Sequence, residues 1–243
     1  MKQGIFKIES NEPLADGVMK MILTGDTSAV TAPGQFVNIK LDGFFLRRPI
    51  SVCDLEDNRL TIIYKVVGRG TQAMAAMSEG ELDVLSGLGN GYDVECCGDS
   101  PLLIGGGAGV PPMYLLAKKL IGRNIYPHVI LGFNTASEVF FEDEFKALGA
   151  GVSVTTVDGS YGTKGFVTAA MDRDYSYFYA CGPQVMLKAV SDASKTSGQL
   201  SFEERMGCGF GACMGCSCKT LYGNKRICKD GPVLRKEEII WEK

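Results

Sequence analysis

The chain reads as an antiparallel β-barrel, then a parallel α/β domain, then a small cysteine-rich tail, and three observations carry that reading. Residues 1–98 alternate short runs of β-formers with Gly, Asn and Asp turns, residues 99–200 repeat strand, glycine turn and helix, and residues 201–243 concentrate the cysteines. With 243 residues, 45% of them hydrophobic, the chain can bury more core than one average domain needs, so two or three domains are expected.

In the first region the candidate strands are Gly4 to Glu9, Val18 to Leu23, Gly34 to Asp42, Ile50 to Asp54, Leu60 to Val66 and Glu81 to Leu85. In the third of these, Val37, Ile39 and Leu41 alternate with Asn38, Lys40 and Asp42, the period-2 pattern of a strand with one wet face. A barrel is the expected closure. One helix interrupts the strands, from Gly70-Thr71 to Met77, with Thr71 as its N-cap. In the second region, Pro101 to Met113 reads as a buried strand, a glycine loop and a helix opened by proline, a start on which a phosphate could rest. The G-x-G-x-x-G fingerprint is absent, because Gly107 and Gly109 are followed by Pro112. Later units are Val129 to Phe133, the helix Glu142 to Leu148, the strand Val152 to Val157, and Tyr177 to Met186, where a strand again ends in a glycine turn.

The formal net charge of −3, with both signs interspersed, leaves no basic tract for a nucleic acid. No apolar run approaches the ~18 residues of a membrane helix, and the first residues lack a signal-peptide core, so the chain is read as cytoplasmic. Nine cysteines, an odd number, fit metal ligation in a reducing compartment better than a disulfide framework. Cys53, Cys96 and Cys97 are expected as small buried hydrophobes. His128, the only histidine, is expected to be structural.

Cys208, Cys213, Cys216 and Cys228 are spaced C-x4-C-x2-C-x11-C. The order is that of plant-type ferredoxins, in which a tight loop wraps a 2Fe-2S cluster and a distant fourth thiolate closes it; zinc sites more often use paired C-x2-C knuckles or histidine. Gly207, Gly209, Gly211 and Gly215 let the backbone fold closely around such a cluster. Cys218 is read as a neighbour rather than a ligand.

Three segments resemble one known family: Leu46 to Asp54 (Leu-Arg-Arg-Pro-Ile-Ser-Val-Cys-Asp), Gly105 to Pro112 together with Ala180-Cys-Gly-Pro183, and Glu204 to Thr220 with its cysteines. The first two are shared across the ferredoxin reductase superfamily. The tail is narrower and resembles the electron-transfer subunits of dihydroorotate dehydrogenase B. The resemblance implies FAD held by Arg48, Pro49, Ile50 and Ser51, with Arg48 on a phosphate and Ser51 beside the flavin ring. Ile63, Tyr64 and Lys65 would line the ribityl and phosphate side, and Gly70 and Thr71 would meet the pyrophosphate. Gly106, Gly107, Gly109, Cys181, Gly182 and Pro183 would hold NAD as an exchangeable co-substrate, with Cys181 positioning the nicotinamide rather than attacking it. Asn134 and Thr135 stand where an adenosine ribose would be read; no Arg or Lys between Gly132 and Phe141 awaits a 2′-phosphate, which favours NAD over NADP. The implied activity is the passage of electrons from the FMN of a separate catalytic subunit through the cluster and FAD to NAD, in a heterotetramer of two plus two. Phe210 and Met214, apolar residues in the cysteine loop, would face that partner. Two other readings remain open on the sequence. One is a reductase subunit of a NADPH:ferredoxin oxidoreductase or an anaerobic sulfite reductase. The other is a non-enzymatic regulatory module with a structural zinc.

Overall fold

A computed structural model describes residues 1–241. Six strands close the N-terminal barrel: β1 (Lys2–Ala15), β2 (Val18–Thr24), β3 (Phe36–Ile39), β4 (Arg48–Glu56), β5 (Arg59–Lys65) and β6 (Glu81–Leu88). Their order around the barrel is β1-β2-β5-β4-β3-β6, and every pairing is antiparallel. β1 runs well past Glu9, because its first half pairs with β6 and its second half with β2. Ser10, Asn11 and Pro13 are poor strand formers, and the ladder accommodates them with register shifts after Ile8 and after Pro13. Helix α1 (Arg69–Ala75) follows β5, and its N-cap is Gly68 rather than Thr71. Thr71 stands one turn into the helix, where its hydroxyl accepts from the N–H groups of Val67 (3.0 Å) and Gly68 (3.1 Å). It closes the helix start from inside instead of opening it.

The expected wet face of the third strand holds at Lys40 and Asp42, which are exposed just beyond β3, and fails at Asn38. All four residues of β3 are buried, and Asn38 is 1% exposed although the alternation puts it outside. The reason lies far along the chain: the cysteine loop covers the outer face of β3, and the Asn38 side chain donates to the carbonyl of Cys208. A strand pattern reports whether a face is buried only when what covers that face is known.

The second region builds a seven-stranded sheet from β7 (Pro101–Gly106), β8 (His128–Phe133), β9 (Gly151–Thr156), β10 (Thr163–Lys164), β11 (Tyr177–Cys181), β12 (Gly198–Ser201) and β15 (Val233–Arg235), in the order β10-β9-β8-β7-β11-β12-β15. All pairs are parallel except β12 with β15, which comes from the far end of the tail. Helices α2 (Val110–Ile121), α3 (Glu142–Ala147) and α4 (Gln184–Ala193) connect the strands. Between β12 and β15 lies the cysteine segment, whose regular part is a hairpin of β13 (Ser217–Thr220) and β14 (Gly223–Arg226).

Three packed cores join these parts. One fills the barrel around Phe6, Met21, Ile62 and Val84. A second lies where α2 meets the barrel and combines Cys53 and Ile63 with Leu116 and Tyr179. The third runs from the other face of the sheet into the tail, where Phe36 and Leu88 of the barrel share a core with Leu200, Cys216, Ile227 and Cys228. Cys53 and Cys97 are buried, but Cys96 is only half-buried and points its thiol at the Asp93 carboxylate, 3.2 Å away. His128 opens β8, with Nε2 2.9 Å from Ser153 Oγ. Burial, and then Arg173, lowers its pKa to about 4, which fits the structural role expected of it. Among the described residues no helix is long and apolar enough to cross a membrane.

Candidate functional site

The barrel strand β4 begins at Arg48, and its two neighbouring arginines take different partners. Arg47 makes a two-pronged ion pair with Asp83 (3.0 Å from each nitrogen), which lowers the Asp83 pKa. Arg48 instead lies across the start of α1: a Cβ on Gly70 would come within 1.9 Å of its Nε. Only glycine admits the guanidinium there. Arg48 is steadied by the Phe44 ring (4.8 Å) and by the carbonyl of Leu46, which accepts from it at 2.6 Å. The guanidinium fork and the first N–H groups of α1 thus meet at one place, the pairing that a phosphate requires. On β5, Ile63 faces the α/β domain, whereas Tyr64 packs in the barrel and donates its hydroxyl to Asn11 (2.9 Å).

Across the domain boundary, a cleft of about 490 Å³ opens at the carboxyl ends of the parallel strands. β7 and β11 are neighbours here although β8 follows β7 in sequence, so the cleft lies where the strand order reverses, the place where open α/β sheets hold ligands. Gly106, Gly107, Gly182 and Pro183 form its wall. Gly109 allows this wall to close, since a Cβ there would sit 2.1 Å from the Cys181 carbonyl oxygen. Pro111 and Pro112 then begin α2 without leaving stranded N–H groups. Cys181 ends β11, 2% exposed, and its thiol is pushed up to about 12, first by burial and then by Glu203. A neutral, buried thiol fits positioning and not nucleophilic attack.

Two cleft residues escaped the sequence reading. Glu203 lines the cleft, and although the residue as a whole is exposed, its carboxyl is desolvated enough to raise its pKa. Glu138 pairs with Lys65 of the barrel (2.8 Å) and accepts from the backbone and side chain of Asn134 (3.1 and 2.8 Å). It therefore ties Lys65, assigned to the flavin, to Asn134, assigned to the nucleotide. Thr135 does not line the cleft; its hydroxyl is 3.0 Å from Ser137 Oγ. Lys65 is the single basic residue among the described residues that line the cleft, which agrees with a nucleotide lacking a 2′-phosphate.

In the tail, the hairpin explains the long last step of the cysteine spacing. Cys216 stands just before β13 and Cys228 just after β14, so the antiparallel ribbon returns the chain and brings the two thiols together in the core. The Cys228 N–H donates to Cys216 Sγ (3.4 Å), and the Cys228 pKa is pushed up to about 12, first by burial and then by the Cys216 thiol. The other two thiols form a second pair. Burial would raise the Cys208 pKa, but N–H groups of Cys213, Phe210 and Ala212 and the Cys213 thiol together hold it down to about 6. Among the described residues no three metal-ligating side chains converge on one point. The thiols come two and two, as a two-iron cluster with two thiolates on each iron needs. Arg226 braces the loop with two bonds to Asp230 (2.8 and 3.0 Å) and one to the Gly211 carbonyl (3.1 Å). Cys218 lies on β13 outside both pairs, and Phe210 and Met214 are 44% and 53% exposed.

The family model for the iron–sulfur cluster binding domain of dihydroorotate dehydrogenase B matches residues 203–240. The chain is 44% identical over 250 residues to the dihydroorotate dehydrogenase B (NAD(+)) electron transfer subunit of Fusobacterium nucleatum, covering 96% of both chains. It is 42% identical over 255 residues to the subunit of the same name from Bacillus pumilus, covering 98% of both. Among solved structures, NADH-dependent reduced ferredoxin-NADP oxidoreductase superposes with a TM-score of 0.88 at 30% identity, covering 98% of this chain and 90% of that one. The flavohem-like FAD/NAD binding domain of nitric oxide dioxygenase from Vibrio cholerae shares the fold over 79% of this chain and 92% of that one, with a TM-score of 0.69 at 21% identity. With a barrel that sets Arg48 against the start of α1, a cleft at the strand crossover and thiols paired two and two, the chain belongs to the family of dihydroorotate dehydrogenase B electron transfer subunits.

Proposed function

We propose that this chain carries electrons between a dihydroorotate-oxidising subunit and NAD, with FAD on the barrel, a 2Fe-2S cluster in the tail and the nucleotide in the cleft. When bound, the flavin supplies the exchange between two-electron hydride transfer and one-electron transfer, and the cluster supplies a one-electron relay. The chain's own residues do the holding. Arg48 and the start of α1 at Gly70 and Thr71 bind an FAD phosphate, with Pro49, Ile50 and Ser51 along the ring and Ile63 to Lys65 on the other flank. Gly106, Gly107 and Gly109 bring backbone close to the nucleotide. Cys181, Gly182 and Pro183 shape the nicotinamide end. Cys208, Cys213, Cys216 and Cys228 are the cluster ligands.

The observation that carries the reading is the common core: Phe36 of the barrel, Leu200 of the sheet and the two buried cysteines pack together, so the cluster loop is built against the flavin domain. The partner is an FMN-containing catalytic subunit, two copies of each forming a cytoplasmic heterotetramer, with Phe210 and Met214 in the contact. The NADH-dependent ferredoxin reductase likeness keeps a second acceptor chemistry in view, but identity is higher with the dihydroorotate subunits and the tail matches their model. Purification with the partner decides between them. The expected result is a yellow-brown complex that forms orotate and NADH from dihydroorotate and NAD; a colourless chain holding zinc would overturn the reading.

A further inference from the structure

Asn38 stands in β3 directly opposite Pro49 of the flavin segment, and its own carbonyl accepts from Arg47 (3.3 Å). Its side chain reaches the cysteine loop. The carboxamide N–H donates to the carbonyl of Cys208, a long bond of 3.4 Å, and Gly209 comes so close that a Cβ there would lie 2.3 Å from the Asn38 nitrogen. Among the described residues the amide oxygen has no partner, although Asn38 is 1% exposed. A leucine would fill the same space without desolvating a carboxamide, so packing alone does not account for this residue. What the amide adds is a donor aimed at the first cysteine of the loop.

We propose that Asn38 is a positioning residue for electron transfer between the flavin and the cluster. By holding the Cys208–Gly209 peptide against β3, it fixes where the first thiolate stands relative to Arg48–Ser51. This rests on the reading that FAD occupies that segment and the cluster the four cysteines. The peptide unit is a rigid plane, so anchoring its carbonyl on the barrel turns the Gly209 N–H away from the barrel. Gly209 follows with φ +80°, a conformation open to glycine. The Cys208 thiol leaves from the same residue, so the direction of that one carbonyl sets the direction of the ligand.

The test uses the chain with both groups bound, as wild type, Asn38→Leu, Asn38→Gln and Gly209→Ala. Leu removes the donor, Gln keeps an amide on a longer arm, and Ala displaces the same peptide from the other side. With NADH as reductant, a hydride delivers two electrons to the flavin, and one passes to the oxidised cluster, leaving it reduced by one. Stopped-flow absorbance reads both events, and electron paramagnetic resonance reads the reduced cluster. The expected result is unchanged flavin and iron per chain in Asn38→Leu and Asn38→Gln, with cluster reduction slowed relative to flavin reduction by roughly 10–100-fold in Asn38→Leu and less in Asn38→Gln, and a shifted cluster spectrum in both and in Gly209→Ala. A wild-type rate ratio and spectrum in Asn38→Leu would overturn the assignment. So would loss of iron from Asn38→Leu accompanied by wild-type behaviour in Gly209→Ala, which would make the amide a plain structural requirement. A wild-type chain that takes up neither flavin nor iron would remove the underlying reading, and the assignment with it.

Discussion

The glycine loop after β7 is held by parallel strands on both sides, with β8 and β11 in register against β7 along their length. The cysteine loop from Gly207 to Cys216 contains no strand, and what fixes it comes from elsewhere: the hairpin behind it, Arg226 across it and Asn38 beneath it. The first site is shaped by a repeating ladder and the second by a few individual side chains. A change near the nucleotide cleft is therefore shared among many backbone bonds, whereas a change in the cluster loop falls on one or two contacts.

Four experiments break or sharpen this contrast. The largest effect separates the chain from its partner. Loaded with FAD, the chain alone should oxidise NADH with an artificial acceptor and give no orotate from dihydroorotate, because Arg48 to Ser51 offer no base for a carbon acid and the carboxylates of the cleft, Glu138 and Glu203, line the site proposed for the nucleotide. Orotate formed without a second subunit would reveal a substrate site on this chain.

The next effect is confined to the tail. Cys213→Ser removes an exposed thiol, proposed as a ligand, that contributes nothing to the core, so iron should be lost while FAD and the far-ultraviolet spectrum stay as in wild type. Full iron content by metal analysis would mean that the ligand set is wrong.

On the ladder side, Arg48→Ala should weaken FAD binding by about 1.5–3 kcal/mol, roughly 10- to 150-fold, and release flavin on dialysis while keeping iron. Arg47→Ala should keep its flavin and lose only stability, because its charge is used by Asp83. Equal flavin retention by the two variants counts against the phosphate assignment.

The smallest effect is a titration within the sheet. His128 has a folded pKa of about 4 against an ordinary value of 6.5, lowered by burial and by Arg173. The fold disfavours its charged form, so its contribution is complete above pH 6.5 and is lost as the pH falls from 6.5 towards 4. For a half-buried group the loss is about 1–2 kcal/mol. Urea midpoints at pH 7 and pH 5 should converge in His128→Asn relative to wild type, and an unaltered difference would assign the pH dependence to other groups.

Much of this was legible in the residues because it was local. The glycine–proline turn after Ile104, the Arg-Pro-Ile-Ser segment and the cysteine spacing each state their chemistry within one stretch of chain, the longest of them the 21 residues from Cys208 to Cys228. Tertiary contacts were harder to read. Asn38 looked solvent-facing because the loop that covers it arrives 170 residues later. Thr71 looked like a cap because Ser and Thr so often are, yet Gly68 takes that position and Thr71 bonds back to it. Glu138 and Glu203 carried no motif, and only the meeting of two domains gives them a role. Cys96 was grouped with its buried neighbour, but a 3₁₀ turn after Asp93 leaves it half in water.

Ser201 and Val233 are cross-strand partners, so the sheet grips both ends of residues 202–232. Neighbouring strands are only about 4.8 Å apart, so the ends of that long loop are brought together by the sheet's own pairing. The cluster loop is therefore fastened by backbone bonds at both ends, Ser201 to Val233 and Leu200 to Leu234, and none of the four thiols takes part in that fastening.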